Sequence, residues 1–231
     1  AGPIIPTLLK RLGCEVIPLY CEVDGRFPHH HPDPSLAENL QDLKKSVLAE
    51  QADIGLAFDG DADRLGVVTN TGKIIWPDRL MMFYLNDLLK RYQRPIIVFD
   101  VKCSALLGQM IEANNGVPVM CPTGHSIVKK VMEEQQAIFA GEMSGHLFFR
   151  DRWYGFDDAL YSACRLLELI SLDTASTDEQ FARIADPINT PEIKIPIAED
   201  RKFQFKVEFT NSSLGGSPLE LNSHWKVGDQ E

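Results

Sequence analysis

Three carboxylates stand at alternate positions in Asp59-Gly60-Asp61-Ala62-Asp63-Arg64, directly after the apolar run Ile54–Phe58. Held in one short loop, Asp59, Asp61 and Asp63 repel one another unless a hard cation gathers them, and oxygen donors suit Mg²⁺ or Ca²⁺. Gly60 lets the backbone turn sharply. Arg64 completes the charge pattern, because a guanidinium fixed beside a metal can hold a phosphate through two parallel hydrogen bonds. An EF-hand calcium loop is excluded by position. It requires Gly at its sixth place and Glu at its twelfth, where this chain has Arg64 and Asn70. Spacing alone leaves a blander reading open, in which the aspartates solvate a turn and cap the next element. The run His29-His30-His31 invites a metal reading too, but neighbouring side chains on an extended chain point to alternate sides. Pro28, Pro32 and Pro34 mark a rigid loop there, so a structural role is expected.

Elements that could position such a loop are legible as short apolar runs alternating with amphipathic stretches, the pattern of layered α/β architecture. Strands are expected at Val16–Tyr20, Ile54–Phe58, Leu65–Thr69, Ile96–Asp100, Val117–Cys121, Ala137–Ala140 and Leu147–Phe149. Ile4 to Leu12 reads as helical. Ser35 with Glu38 reads as a capping box opening a helix whose inner face carries Leu36, Leu40, Leu43 and Val47. Further stripes are Leu80, Phe83, Tyr84 and Leu88, then Leu106, Leu107, Met110 and Ile111. A last helix starts near Asp157 and carries Leu160, Leu167 and Ile170. Two blocks result, divided near Gly72. Past Pro187 the texture changes to strand-like segments at Glu192–Ile197 and Phe203–Phe209 and a Ser/Gly-rich loop at Asn211–Pro218.

A chain of 231 residues with 44% hydrophobic content has room for two modest α/β units. Its net charge of −10 opposes nucleic acid and anionic membranes, so neither is an expected partner. Any phosphate site must therefore concentrate its own cations locally. No stretch approaches the roughly 18 apolar residues of a membrane span. The five cysteines are odd in number and lack any Cys-x-x-Cys pair, which with the lack of a signal pattern leads to a cytoplasmic expectation. The sequence starts at Ala1 without a methionine, inside a helical-looking segment, and a fragment is expected.

Four runs in order carry a resemblance: Phe58-Asp59-Gly60-Asp61-Ala62-Asp63-Arg64, Asp100-Val101-Lys102-Cys103, Pro122-Thr123-Gly124-His125-Ser126 and Ala140-Gly141-Glu142-Met143-Ser144-Gly145-His146. Together they resemble the metal loop, site loops and sugar-recognition loop of the α-D-phosphohexomutases over about residues 1 to 190. Met143 in the sugar loop is similar to the bacterial phosphomannomutase/phosphoglucomutase branch. The resemblance implies two consecutive three-layer α/β/α domains with mixed sheets, 1–73 and 74–185, followed by a linker and a partial α+β segment, 186–231. It implies Mg²⁺ at Asp59, Asp61 and Asp63, with Arg64 and Lys102 near phosphates. Glu142 and Ser144 would contact sugar hydroxyls, His125 and His146 would line the site, and Lys102 or His146 would serve as general acid/base. The implied activity is phosphoryl transfer between C1 and C6 of a hexose phosphate, through a phosphoserine and a hexose 1,6-bisphosphate. The family's serine loop and its fourth-domain phosphate loop are not in this sequence, so turnover by these residues alone is not expected. Two other classes stay open: a metal- or sugar-phosphate-binding module without turnover, and a phosphatase with Asp59 as nucleophile, which leaves the sugar loop unexplained.

Overall fold

A computed structural model of the chain describes residues 2–186. The expected segments at Glu192–Ile197, Phe203–Phe209 and Asn211–Pro218 lie outside the described residues, as does nearly all of 186–231.

The first sheet is a meander. Strand β1, Ile54–Phe58, pairs antiparallel with β2, Leu65–Thr69, so that Phe58 faces Leu65 across the Asp59–Arg64 connection. A two-residue strand β3, Ile74–Ile75, completes the order β1-β2-β3. Val68 and Ala57 turn to one face and meet Leu40, Leu43 and Val47 of the helix pair formed by a short 3₁₀ turn, Ala37–Leu40, and α2, Gln41–Ala49. Leu65 and Val67 turn to the other face, as the period-two alternation of a strand requires. Helix α1, Ile5–Arg11, lies upstream, with Ile5 and Leu9 buried.

The second sheet is mixed, in the order β5-β4-β6-β7. Strand β4, Ile96–Asp100, is central and runs parallel to β5, Val117–Cys121, and to β6, Phe139–Gly141. Strand β7, Leu147–Phe149, turns back antiparallel on β6. The unbroken apolar run Ile96–Phe99 marks a strand covered on both faces. On one side Val98, Ala140 and Phe148 pack against Val128 and Met132 of α5, His125–Glu134. On the other, Ile97, Phe99, Phe139 and Phe149 enter a core shared with α3, Pro77–Arg91, α4, Ala105–Ala113, and α6, Ala159–Ser171. Leu65, Val67 and Ile75 of the first sheet belong to that same core, so the two blocks are cemented by apolar contact. Helix α3 opens with Trp76 as N-cap and Pro77 in its first turn, where proline's missing N–H costs nothing. Its Leu80, Leu85 and Leu88 are at most 1% exposed, and truncating any one to Ala costs about 2–5 kcal/mol.

The chain then returns to the first sheet. Helix α7, Thr177–Ala182, carries a capping box of Ser176 and Glu179. The Thr177 hydroxyl donates to the Asp53 carbonyl at 2.6 Å, and the Asp178 N–H donates to Asn70 Oδ1 at 2.9 Å. Buried Arg79 of α3 donates to the carbonyls of Phe181 and Ile184, fixing α7 from below.

Three expectations are corrected. Val16–Tyr20 forms no strand, because no neighbouring strand among the described residues pairs with it. Ser35 caps no helix: its hydroxyl donates to Asp33 at 2.6 Å, and Leu36, with no side-chain cap, precedes the turn. The buried face of α6 is Ala159, Ser162, Ala163, Arg165 and Leu166, leaving Leu160, Leu167 and Ile170 half-buried. A buried arginine on that face hid the stripe, since hydrophobic periodicity assigns such a residue to solvent.

Candidate functional site

The carboxyl ends of β1, β4 and β6 bring the singled-out residues together. In the Asp59–Arg64 loop, Asp59 is 4% exposed and acts as an internal template. Its Oδ1 accepts the N–H groups of Asp63 and Arg64 at 3.0 and 3.1 Å, and its Oδ2 accepts Arg64 Nε at 2.7 Å. Arg64 Nη1 also reaches Asp33 Oδ1 at 3.2 Å. Burial pushes the Asp59 pKa up, but the Arg64 hydrogen bonds outweigh it and hold the carboxyl below its usual range. Asp63 goes the other way, to about 6, through burial first and then its neighbour Asp59. Ala62 sits at φ +64°, and its carbonyl accepts the Ala159 N–H at 3.1 Å, which ties the loop to the first residue of α6.

Ligand oxygens of Asp59, Asp61 and Asp63 all lie within 4.8 Å of one another. Asp63 Oδ1 is buried with no hydrogen-bond partner. A convergent, all-oxygen donor set with an unsatisfied buried oxygen fits a hard divalent cation.

The second loop, Glu142–His146, joins β6 to β7. The Gly145 N–H closes a turn onto the Glu142 carbonyl at 3.1 Å, with Gly145 at φ +101°, a conformation that disfavours any side chain. The Gly145 carbonyl accepts the Leu65 N–H at 3.1 Å, and Arg64 and His146 form an antiparallel bridge. The acidic loop and this loop are therefore latched backbone to backbone. Among side chains, His146 Nε2 is 3.3 Å from Asp63 Oδ1, while its Nδ1 is 3.2 Å from Glu142 Oε2 and 2.7 Å from Ser144 Oγ. Burial alone would lower the pKa of His146, but Glu142 and then Asp63 outweigh it and raise it.

The third loop leads into α5. Gly124, at φ +137°, donates its N–H to Glu142 Oε1 at 2.6 Å. His125, the first residue of α5, stacks on His146 with ring centroids 5.4 Å apart. Its Nδ1 is 3.2 Å from Asp157 Oδ2, and Lys129 Nζ is 2.9 Å from Asp157 Oδ1.

Of the expected residues, Asp59, Asp61, Asp63, Arg64, Glu142, Ser144, His146 and His125 gather in this one cluster. Lys102 stands exposed in the turn after β4. The centre of that motif is Asp100, which is fully buried. It accepts the Met143 N–H at 3.1 Å and the Cys103 thiol at 3.1 Å on Oδ1, and the Thr123 hydroxyl at 3.0 Å on Oδ2. Sequence reasoning placed Asp100 in a site run and Asp157 at a helix start but gave neither a site role, and it did not single out Asp33. A carboxylate ending a fully apolar strand is the signal that marks Asp100, because such a group must find partners. The three histidines at 29–31 are engaged locally: His29 stacks on Tyr20 at 3.8 Å and His31 meets Phe27 edge-on at 5.5 Å.

Residues 1–72 match the family description "Phosphoglucomutase/phosphomannomutase, alpha/beta/alpha domain II", and residues 76–187 match "alpha/beta/alpha domain III" of the same family. The phosphomannomutase/phosphoglucomutase of Pseudomonas aeruginosa is 57% identical over 203 residues, covering 88% of this chain and 44% of that protein. The phosphoglucomutase of Neisseria gonorrhoeae is 50% identical over 198 residues, covering 86% and 43%. A crystal structure of a phosphoglucomutase/phosphomannomutase family protein from Burkholderia thailandensis superposes with a TM-score of 0.80 at 48% identity, over 83% of this chain and 42% of that one. The chain thus spans less than half the length of these relatives. Matches to the second and third domain descriptions over residues 1–72 and 76–187, with sequence identity above half to a relative over 88% of this chain, place it in the phosphoglucomutase/phosphomannomutase family, of which it carries the second and third domains.

Proposed function

We propose that this chain supplies the metal loop and the sugar loop of a phosphohexomutase that moves a phosphoryl group between C1 and C6 of glucose or mannose phosphates. The carrying observation is the latch between the two loops: the Leu65 N–H on the Gly145 carbonyl, and His146 Nε2 at 3.3 Å from Asp63 Oδ1. Cation-binding and sugar-binding chemistry are thereby held at contact distance, as transfer between a sugar oxygen and a cation-neutralised phosphoryl group demands.

In this reading Asp59, Asp61 and Asp63 hold Mg²⁺, which when bound neutralises charge on the transferring phosphoryl group. Arg64, oriented by Asp59 and Asp33, presents a guanidinium edge to a phosphate. Glu142 Oε2, buried and without a hydrogen-bond partner, is the acceptor for a sugar hydroxyl, and Ser144 lies beside it. His146 sits between Glu142 and Asp63, where a proton can be held at Nδ1 or Nε2, so it is the better placed of the two general acid/base candidates. Lys102, exposed after β4, is assigned to a phosphate. His125 stacks behind His146 and keeps its ring upright. The two working domains divide near residue 73, the site is intracellular, and hexose 1,6-bisphosphate is the intermediate. The phosphoserine that stores the phosphoryl group is not among these residues, so this chain alone is a binding unit. The phosphatase reading loses ground, since it gives no part to the Glu142–His146 loop that is latched to the acidic loop.

The test is a chimera in which the matching region of the Pseudomonas aeruginosa relative is replaced by this chain. It should convert glucose 1-phosphate to glucose 6-phosphate in a coupled assay, and Asp61→Asn should lower kcat at least about 100-fold, about 2.7 kcal/mol of transition-state stabilisation. A folded, Mg²⁺-binding chimera without turnover contradicts the reading, and turnover by the isolated chain contradicts its assignment as a binding unit.

A further inference from the structure

Beside the acidic loop lies a second convergence of donors with different chemistry. Ligand atoms of Asp63, His146 and Asp157 come within 4.8 Å of one another. They arrive from separate elements: the β1–β2 connection, the β6–β7 loop and the N-terminal approach to α6. Asp157 is brought there by an isolated bridge to Phe148 and held by Lys129, which occupies Oδ1 at 2.9 Å. Its side chain is 9% exposed, and Oδ2 is buried with no hydrogen-bond partner, although His125 Nδ1 stands 3.2 Å away. Asp63 Oδ1, 3.3 Å from His146 Nε2, is a second buried oxygen without a hydrogen bond. Two buried carboxylate oxygens, each near an imidazole nitrogen but neither hydrogen-bonded, are costly unless a cation joins them.

We propose that Asp63, His146 and Asp157 form a second cation site, selective for a borderline transition ion such as Zn²⁺ rather than for Mg²⁺. An imidazole nitrogen among carboxylates is a donor set for Zn²⁺, while Mg²⁺ prefers oxygen alone. The site shares Asp63 with the all-oxygen cluster and engages the imidazole assigned above to proton handling. A transition ion bound here withdraws the ring nitrogen from proton transfer, so the site is inhibitory. His125, stacked on His146 and directed at Asp157, is the residue that must yield Oδ2 when the ion enters.

The test titrates this chain with Zn²⁺ and, separately, with Mg²⁺, following heats and the ring nitrogens of the histidines by NMR. One equivalent of Zn²⁺ should shift the His146 resonances. Asp157→Asn should weaken that binding about 10-fold or more and leave the Mg²⁺ isotherm unchanged, because Asp157 is outside the all-oxygen cluster. Asp61→Asn should do the reverse, weakening Mg²⁺ and preserving the Zn²⁺ shift at His146. The wild-type ring shifts need no variant, so a poorly folded Asp157→Asn protein does not remove the test. Zn²⁺ that perturbs only His29, His30 and His31, binds Asp157→Asn as tightly as wild type, or loses its effect on His146 in Asp61→Asn overturns the second site. None of these results bears on Mg²⁺ binding by the acidic loop, whose failure would appear in the Mg²⁺ arm alone.

Discussion

The Glu142 carboxylate bridges two loops: Oε1 accepts the Gly124 N–H at 2.6 Å while Oε2 stands 3.2 Å from His146 Nδ1. One 1%-exposed side chain therefore sets both the entrance to α5 and the charge on the imidazole.

The first expected outcome concerns that charge. Burial would lower the His146 pKa, and Glu142 is the largest influence that raises it. Its folded pKa lies above the unfolded value of about 6.5, so its contribution to stability is complete below that pH and is lost as pH rises through the folded pKa. Glu142→Gln keeps an oxygen for Gly124 but removes the charge. His146 should then titrate at lower pH by NMR, and the stability gained on acidifying towards pH 6.5 should shrink. Glu142→Ala should cost about 1–3 kcal/mol more than the Gln variant, because the Gly124 N–H is left unsatisfied. An unchanged His146 titration in Glu142→Gln would refute the assigned cause.

A second outcome separates structure from site. Asp151 accepts Tyr92 OH at 2.6 Å and Arg165 Nη2 at 2.8 Å, with both charged groups buried. Burial pushes the Asp151 pKa up, but Tyr92 and Arg165 outweigh it and hold the carboxyl below its usual range. The stabilisation is present above the unfolded pKa of about 3.9 and is lost as pH falls through the lower folded value. Asp151→Asn leaves buried Arg165 with only the partly exposed Glu168, 3.4 Å from its Nε, as a counter-charge, and should cost up to about 3–5 kcal/mol in urea unfolding at pH 7. The gap from wild type should narrow below pH 4. A cost under about 1 kcal/mol at pH 7 would show that the pair is not a structural anchor.

Substrate range depends on the sugar loop. A bisphosphate that binds in two opposite orientations can be gripped only through features that nearly superimpose after the turn. O3 and O4 roughly exchange places, and O2 has no such partner. With Glu142 and Ser144 reading O3 and O4, the chimera should use glucose and mannose 1-phosphates, which differ at C2, and discriminate against galactose 1-phosphate. A lost hydrogen bond to a carboxylate is worth about 1.5–3 kcal/mol, or about 10- to 100-fold in kcat/KM. Comparison of the three sugars on the chimera and on its Glu142→Ala variant is the measurement. Equal use of galactose phosphate would remove the proposed role of the loop.

The features legible in the sequence were those that a local pattern determines. The strands Ile54–Phe58, Leu65–Thr69 and Ile96–Asp100 stand where their apolar runs stand, because a buried strand is a short-range statement about side chains. The aspartate spacing likewise marked the acidic loop. Long-range partners were not legible. Val16–Tyr20 has strand composition but no described strand beside it, and pairing, not composition, makes a ladder. Ser35 and Glu38 have capping-box spacing, yet Asp33 is nearer to the hydroxyl, while the box at Ser176 and Glu179 passed unnoticed. Asp100 stood in a site run and Asp157 at a helix start, but nothing local marked their partners. Their importance lies in contacts 23 and 28 residues away, with Thr123 and Lys129.

If the acidic loop and the sugar loop act as one site, their ligands must be energetically coupled on this chain. Glucose 1,6-bisphosphate should be titrated calorimetrically with and without Mg²⁺. Mg²⁺ should tighten bisphosphate binding by about 5-fold or more, and by reciprocity bisphosphate should tighten Mg²⁺ equally. Asp61→Asn should abolish the coupling, and Glu142→Ala should weaken the sugar while leaving the isotherm for Mg²⁺ alone intact. Bisphosphate affinity that is the same with and without Mg²⁺, in a wild-type chain shown to bind both, would mean that the two loops are independent sites.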